Sequence, residues 1–174
     1  VFEDVSEQVG NSGLRDGACY IAPMVDLDGD SKVDLLITQE FGQTIERNQL
    51  YKNLGPGDDG IWINWENKTP DSNIQYPYAA MGAALMDLNQ DQLPEIFITN
   101  LIVDEPLREV LLMNEGDFLF QDITNDYGAN SLEVNAAQEL YRTASWGSVT
   151  LDYDNDGDDD LYTVYGTITP VVFQ

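Results

Sequence analysis

The sequence predicts an all-β fold assembled from repeated units of four antiparallel strands, and three observations predict it. Acid-rich segments of one design occur three times, as DLDGDSKVD at 26–34, DLNQDQLPE at 87–95 and DYDNDGDDD at 152–160. Each is flanked by short runs rich in Ile, Val, Leu, Tyr and Phe and bounded by turn residues, which is the signature of strands. No helix signal of comparable strength appears; residues 131–142 (SLEVNAAQELYR) are the one place where a short helix or turn is expected as an insertion.

Taken in order, residues 1–18 read as the end of a preceding blade and a linker, because VFEDVS resembles the last strand of the later units. The first unit, 19–70, runs CYIAPMVD, acidic loop, VDLLITQ, NQLYKNLG and IWINWENKT. The second, 79–124, repeats the order with MGAALMD, PEIFITN, EVLLMNEG and FLFQDIT. A third begins at 144–174 with SWGSVTLD and DDLYTVY. Each acidic loop is therefore a hairpin connection between a first and a second strand. The opening Asp falls at 26, 87 and 152, which sets a unit of about 60 residues, the scale of a propeller blade. Insertions at 71–78 and 125–143 occupy equivalent places and are expected near one another at one end, as a binding rim or as loops packed on their neighbours. A propeller needs at least about four blades to close. The fold class expected is thus an incomplete or open array of about three β-propeller-type repeats.

Composition narrows the function. The chain has 174 residues and is 43% apolar, enough for a real core. With 32 acids against 7 bases, no His and a net charge of -25, it lacks the clustered Lys and Arg that nucleic acid or an anionic membrane surface requires. No run approaches the roughly 18 apolar residues of a membrane helix, so no membrane insertion is expected. The N-terminus has neither the basic region nor the apolar run of a secretion signal, and it lacks an initiator Met, as a trimmed product would. Cys19 is the sole cysteine and is expected as a buried free thiol in the run ACYIAPM. Asn67-Lys68-Thr69 is a glycosylation sequon, a tripeptide that chance supplies often.

The loops carry the chemistry. A hard divalent cation takes six to eight oxygens at about 2.3–2.6 Å, and a short loop provides them only where carboxylates converge. Alternating acids around Gly157 fit that need. Asp, Asn and Gly are also good turn formers, but three such loops would concentrate charge at considerable cost without a cation. An EF-hand requires a carboxylate at loop position 12 and flanking helices; here position 12 is Ile37, Ile98 and Thr163, and strands flank the loops. Catalysis is not expected: there is no His, no nucleophile elbow and no phosphate loop, and the clustered carboxylates are better explained by calcium than as a glycosidase pair. Trp62, Trp65 and Trp146 are expected in the core in preference to sugar platforms.

The run SWGSVTLDYDNDGDDDLYTVYG resembles the FG-GAP/VCBS repeat, and more narrowly the version in the UnbV/ASPIC and cartilage acidic protein group. Leu50-Tyr51-Lys52-Asn53, Phe120-Gln121-Asp122-Ile123-Thr124 and Phe2-Glu3-Asp4-Val5-Ser6 match further parts of that unit. The resemblance implies a calcium-binding β-propeller of the kind found in integrin α chains. It also implies the ligands: side chains at loop positions 1, 3, 5 and 9 and the carbonyl at position 7. These are Asp26, Asp28, Asp30, Lys32 (carbonyl) and Asp34; Asp87, Asn89, Asp91, Leu93 (carbonyl) and Glu95; and Asp152, Asp154, Asp156, Asp158 (carbonyl) and Asp160. Up to three Ca2+ are expected. The second loop, with Asn89 in place of an acid, Gln92 at the position of Gly157 and Pro94 at its exit, is expected to bind most weakly. The first lacks Gly at Ser31 and has it at Gly29, which leaves its turn undefined by sequence.

The function expected is a calcium-binding extracellular, cell-surface or periplasmic module with a structural, adhesive or protein- or carbohydrate-binding role. Its partners are other chains or further blades of the same chain. A filament-forming repeat protein and a non-catalytic domain of a secreted carbohydrate-active enzyme are the alternatives.

Overall fold

The computed structural model describes residues 17–40, 47–58, 60, 64–75, 79–101, 109–129 and 143–167. Within them the chain forms eleven strands, all paired antiparallel, and a single 3-10 turn at Thr69–Asp71. The first sheet contains β1 (Cys19–Ile21), β2 (Met24–Val25), β3 (Asp34–Gln39), β4 (Gln49–Asn53) and β5 (Trp65–Asn67). The second is ordered β6 (Ala80–Met86), β7 (Glu95–Asn100), β8 (Val110–Asn114), β9 (Phe120–Asp122). The third pairs β10 (Thr143–Leu151) with β11 (Asp160–Thr167). The sheets do not close on one another, so the architecture is an open array of propeller-like blades. The expected N-terminal strand, the insertion at 131–142 and Trp62 lie outside the described residues.

β1 and β2 are two parts of one first strand: both pair with β3, at Ile21↔Thr38 and Met24↔Leu35. Pro23 between them has no amide to give the ladder, and its carbonyl still accepts from Leu36 N–H at 3.1 Å. The first strands share a further device. Register slips between Cys19 and Ile21, between Ala80 and Gly82, and between Ser145 and Ser148, the same distance ahead of each acidic loop. A bulge bends a strand and increases its twist, so each first strand is turned alike where it meets its neighbour.

The core explains why the second unit reads as continuous apolar runs. All six residues of β7 are buried. One face of its sheet, with Ile96, Ile98, Val110 and Leu112, packs on Leu27, Leu36 and Leu50 of the first unit and on Ile74 of the insertion that follows it. The other face, with Ala84, Met86, Phe97 and Leu111, packs with Ile123 and receives Leu161 of the third unit. A sheet covered on both sides has no polar face to alternate with. Among the described residues the third sheet is covered on one side only: Val149, Leu151, Tyr162 and Val164 are exposed.

Two expectations are corrected. Cys19 is exposed, its Sγ donating to the Ile21 carbonyl at 3.4 Å, because it sits on the outermost strand of its sheet. Trp146 is 47% exposed and Trp65 half-buried, so neither is a core residue.

The second and third units meet through backbone. Thr99 Oγ1 donates to the Trp146 carbonyl at 2.8 Å, Ser145 Oγ accepts from Asn100 N–H at 3.0 Å, and Thr150 Oγ1 donates to the Leu85 carbonyl at 2.9 Å. Gly82 is required there: a Cβ would collide with the Trp146 carbonyl oxygen.

Candidate metal loops

Three loops of different sequence adopt one hydrogen-bonded frame. The carboxylate at position 1 accepts the amides of positions 5 and 6: Asp26 from Asp30 (3.1 Å) and Ser31 (2.7 Å), Asp87 from Asp91 and Gln92 (both 3.0 Å), Asp152 from Asp156 and Gly157 (both 3.1 Å). The side chain at position 5 accepts from position 7: Asp30 from Lys32 (2.9 Å), Asp91 from Leu93 (2.8 Å), Asp156 from Asp158 (3.0 Å). Position 9 reaches back to position 2: Asp34 to Leu27 (2.8 Å), Glu95 to Leu88 (2.7 Å), Asp160 to Tyr153 (2.8 Å). Each amide occupies one lone pair, so the carboxylates are fixed in place with acceptor capacity left over.

The backbone supports this frame at two left-handed positions. Positions 4 and 6 have positive φ in every loop: Gly29 and Ser31 at 75° and 66°, Gln90 and Gln92 at 59° and 72°, Asn155 and Gly157 at 61° and 94°. Gly29 and Gly157 therefore serve two equivalent bends of one turn, which settles the conformation of the first loop. The second loop has no Gly at either bend and carries the strain on two glutamines.

A buried Asn braces each complete unit. Asn53 Nδ2 donates to the Val33 carbonyl (3.0 Å) and its Oδ1 accepts from Gly55 (2.8 Å). Asn114 Nδ2 donates to Pro94 (3.2 Å) and also to Leu27 in the first unit (2.9 Å), with Oδ1 accepting from Gly116 (3.0 Å). The sequence marked these residues only as strand ends; their recurrence before Gly is the signal that identifies the brace.

The loops differ in convergence and charge. Asp26, Asp28 and Asp34 bring one carboxylate oxygen each within 4.8 Å of one another, as do Asp152, Asp154 and Asp156. Asp30 and Asp160 stand outside these groups, and the second loop forms no such group among the described residues. There Asn89 donates to Asp91 Oδ2 (2.9 Å), so an amide hydrogen faces where an acid would stand. Glu95 is fully buried; its Oε1 makes no hydrogen bond in normal geometry, although the Asn114 amide faces the carboxyl group.

Burial raises the Asp34 pKa against the Asn53 and Leu27 amides, and burial likewise raises that of Glu95 against the Leu88 and Asn114 amides; neighbouring acids add to both effects. Asp30 is the opposite case, held down to about 2 chiefly by its hydrogen bond from Lys32. Lys32 Nζ lies 2.6 Å from Asp30 Oδ2, while Lys52 Nζ pairs with Asp28 and lies 3.2 Å from Asp30 Oδ2. The described acids of the third loop have no ion pair; its contacts with the second loop are Gln90 to Asp158 (2.7 Å) and the Asp87 amide to Asp159 (3.1 Å).

The donor set is all oxygen, held by a rigid frame, with convergent acids in the first and third loops. That is the arrangement hard cations require, and loops of this kind between propeller strands can be set beside known families. Residues 26–98 match the FG-GAP-like repeat. The match opens on the first Asp of the first loop and ends in β7, so it covers the first two acidic loops with the strands between them. That match is consistent with the FG-GAP/VCBS repeat family and suggests a repeat module of a propeller-type domain. The third loop, beyond the matched span, has the same frame as the FG-GAP-like loops. A comparison with curated proteins finds no match. Among the described residues no helix is long and apolar enough to cross a membrane.

Proposed function

We propose that the protein is a calcium-stapled, non-catalytic repeat module that works by binding other chains or further blades outside the cell, at its surface or in the periplasm. The observation that carries this reading is the convergence of Asp26, Asp28 and Asp34, and of Asp152, Asp154 and Asp156, within one repeated frame. Asp30 and Asp160, with the Lys32 and Asp158 carbonyls, would complete the first and third sites; Asp87, Asn89, Asp91, Glu95 and the Leu93 carbonyl would form a weaker second one. Bound calcium supplies positive charge that neutralises the loops and ties each first strand to its second. Weak calcium modules of this kind work where calcium is millimolar, which supports a location outside the cytosol.

The uncovered face of Val149, Leu151, Tyr162 and Val164 favours assembly, either with further blades or between copies as a filament. Thermal unfolding followed by circular dichroism, with light scattering recording particle size, tests both parts. At 100 times the dissociation constant each site adds about 2.7 kcal/mol, so calcium should raise Tm by about 5–10 °C per site over excess chelator. An unchanged Tm would leave the loops as turns and remove the metal from this reading.

A further inference from the structure

The first loop contains a cation of its own. Lys52 comes from β4, not from the loop, and its ammonium lies against Asp28 Oδ2 and Asp30 Oδ2. The Asp28 side chain is only 10% exposed and that of Lys52 23%. Phe118, delivered from the second unit, places its ring centroid 5.6 Å from the Lys52 ammonium, within reach of a cation–π contact. Lys32 adds a second, more exposed ammonium at Asp30. The position equivalent to Lys52 in the second unit is Met113, which offers the Asn89 amide only a thioether at 3.6 Å. The described part of the third loop has six acids, all exposed, and no ammonium.

We propose that Lys52 is a resident counter-ion of the first loop that calcium must displace, so that the loops load in an order set by this lysine, the third before the first. The proposal rests on the calcium reading above and goes beyond it by assigning a role to a residue that is not a ligand. An ammonium and a divalent cation compete for the same carboxylates, because both need Asp28 and Asp30 and cannot share their lone pairs at close range. The long, flexible lysine stem allows the head to swing into solvent when the metal arrives. Before that, the lysine neutralises the acids and holds the first loop in its folded frame without metal.

The test uses the whole chain carrying Asp152→Ala, which disables the third site, with Lys52→Met added to give the first unit the residue of the second. Calorimetric titration with calcium should show affinity at the first site rising about tenfold, the scale of one partly buried charge pair. Lys52→Gln should do the same if the methionine variant folds poorly. Lys68→Gln, which removes a lysine paired only with Glu66 at the surface, should leave affinity unchanged and so accounts for net charge. Stability should change sign: Lys52→Met melts below its parent in chelator and at or above it in calcium. Unchanged or weaker calcium binding in both Lys52 variants overturns the proposal while leaving calcium in place. Absence of calcium binding in the unmutated chain overturns the calcium reading itself.

Discussion

The first and third loops share a backbone and differ in everything that surrounds it. Both hold three convergent carboxylates and the same pattern of amide donors. The first is half-sunk between two units, with Asp34 fully buried and two lysines on its acids. The third stands in solvent, where every residue from 152 to 160 is exposed. The frame is thus a local property of nine residues, while the balance of charge is set by what the fold packs against them. Two lysines offset part of the charge of one loop; the acids of the other are left to solvent or to a cation.

Substitution at loop position 1 gives the sharpest contrast. Asp152→Ala should weaken calcium binding at the third loop by about 100-fold or more, since even residues behind a metal ligand cost 10–100-fold. Its effect on stability in chelator should be small, because its amide donors can turn to water. Asp26→Ala removes the acceptor of the exposed Gly29 and Ser31 amides and one of the two acceptors of the part-buried Asp30 amide, which keeps Asp28 Oδ1 at 3.3 Å. That should cost about 1 kcal/mol in chelator, more than Asp152→Ala because one of its bonds is part-buried, measured by urea unfolding. Equal losses in the two variants would break the comparison.

A smaller effect separates buried from exposed acids by pH. Burial raises the folded pKa of Asp34 and Glu95 above their ordinary 3.8 and 4.5. Their contribution to stability is therefore complete below those ordinary values and is lost as pH rises through the folded ones. Asp30 runs the other way: its contribution is present above 3.8 and lost as pH falls toward about 2. In chelator, Glu95→Gln should be more stable than the parent at pH 7 and indistinguishable from it near pH 3. Calcium should abolish the advantage at pH 7. A variant less stable than the parent in chelator at both pH values would show that burial does not govern Glu95.

The smallest effect tests whether the frame is truly common. Gln92 and Ser31 occupy the left-handed bend that Gly157 fills in the third loop. Gln92→Gly and Ser31→Gly should each stabilise by up to about 1 kcal/mol, and Gly157→Ala should destabilise by a similar amount. Thermal melts in chelator suffice to read the sign.

Much of this was legible in the sequence. The alternating acids and the short β-rich runs around them mark the hairpins, and every described strand falls wholly or largely within the run that predicts it; β6 begins one residue early, β10 two residues early, and β11 ends two residues late. What escaped was whatever depends on a neighbouring unit. Lys52 lies 24 residues from Asp28 in the chain and meets it only because β4 pairs with β3. Cys19 and Trp146 sit in apolar runs that look like core, and their exposure follows from which face of a strand the neighbouring sheet covers. The left-handed bend at position 4 was hidden because Gly29, Gln90 and Asn155 have no common side chain.

Gly82 sets how closely the second and third units can approach. Where it faces Trp146, the first strands of the two units meet backbone to backbone, with no side chain between them. A larger residue at position 82 would meet the Trp146 carbonyl oxygen, force the two strands apart and loosen the bonds that Thr99 and Asn100 make across the seam.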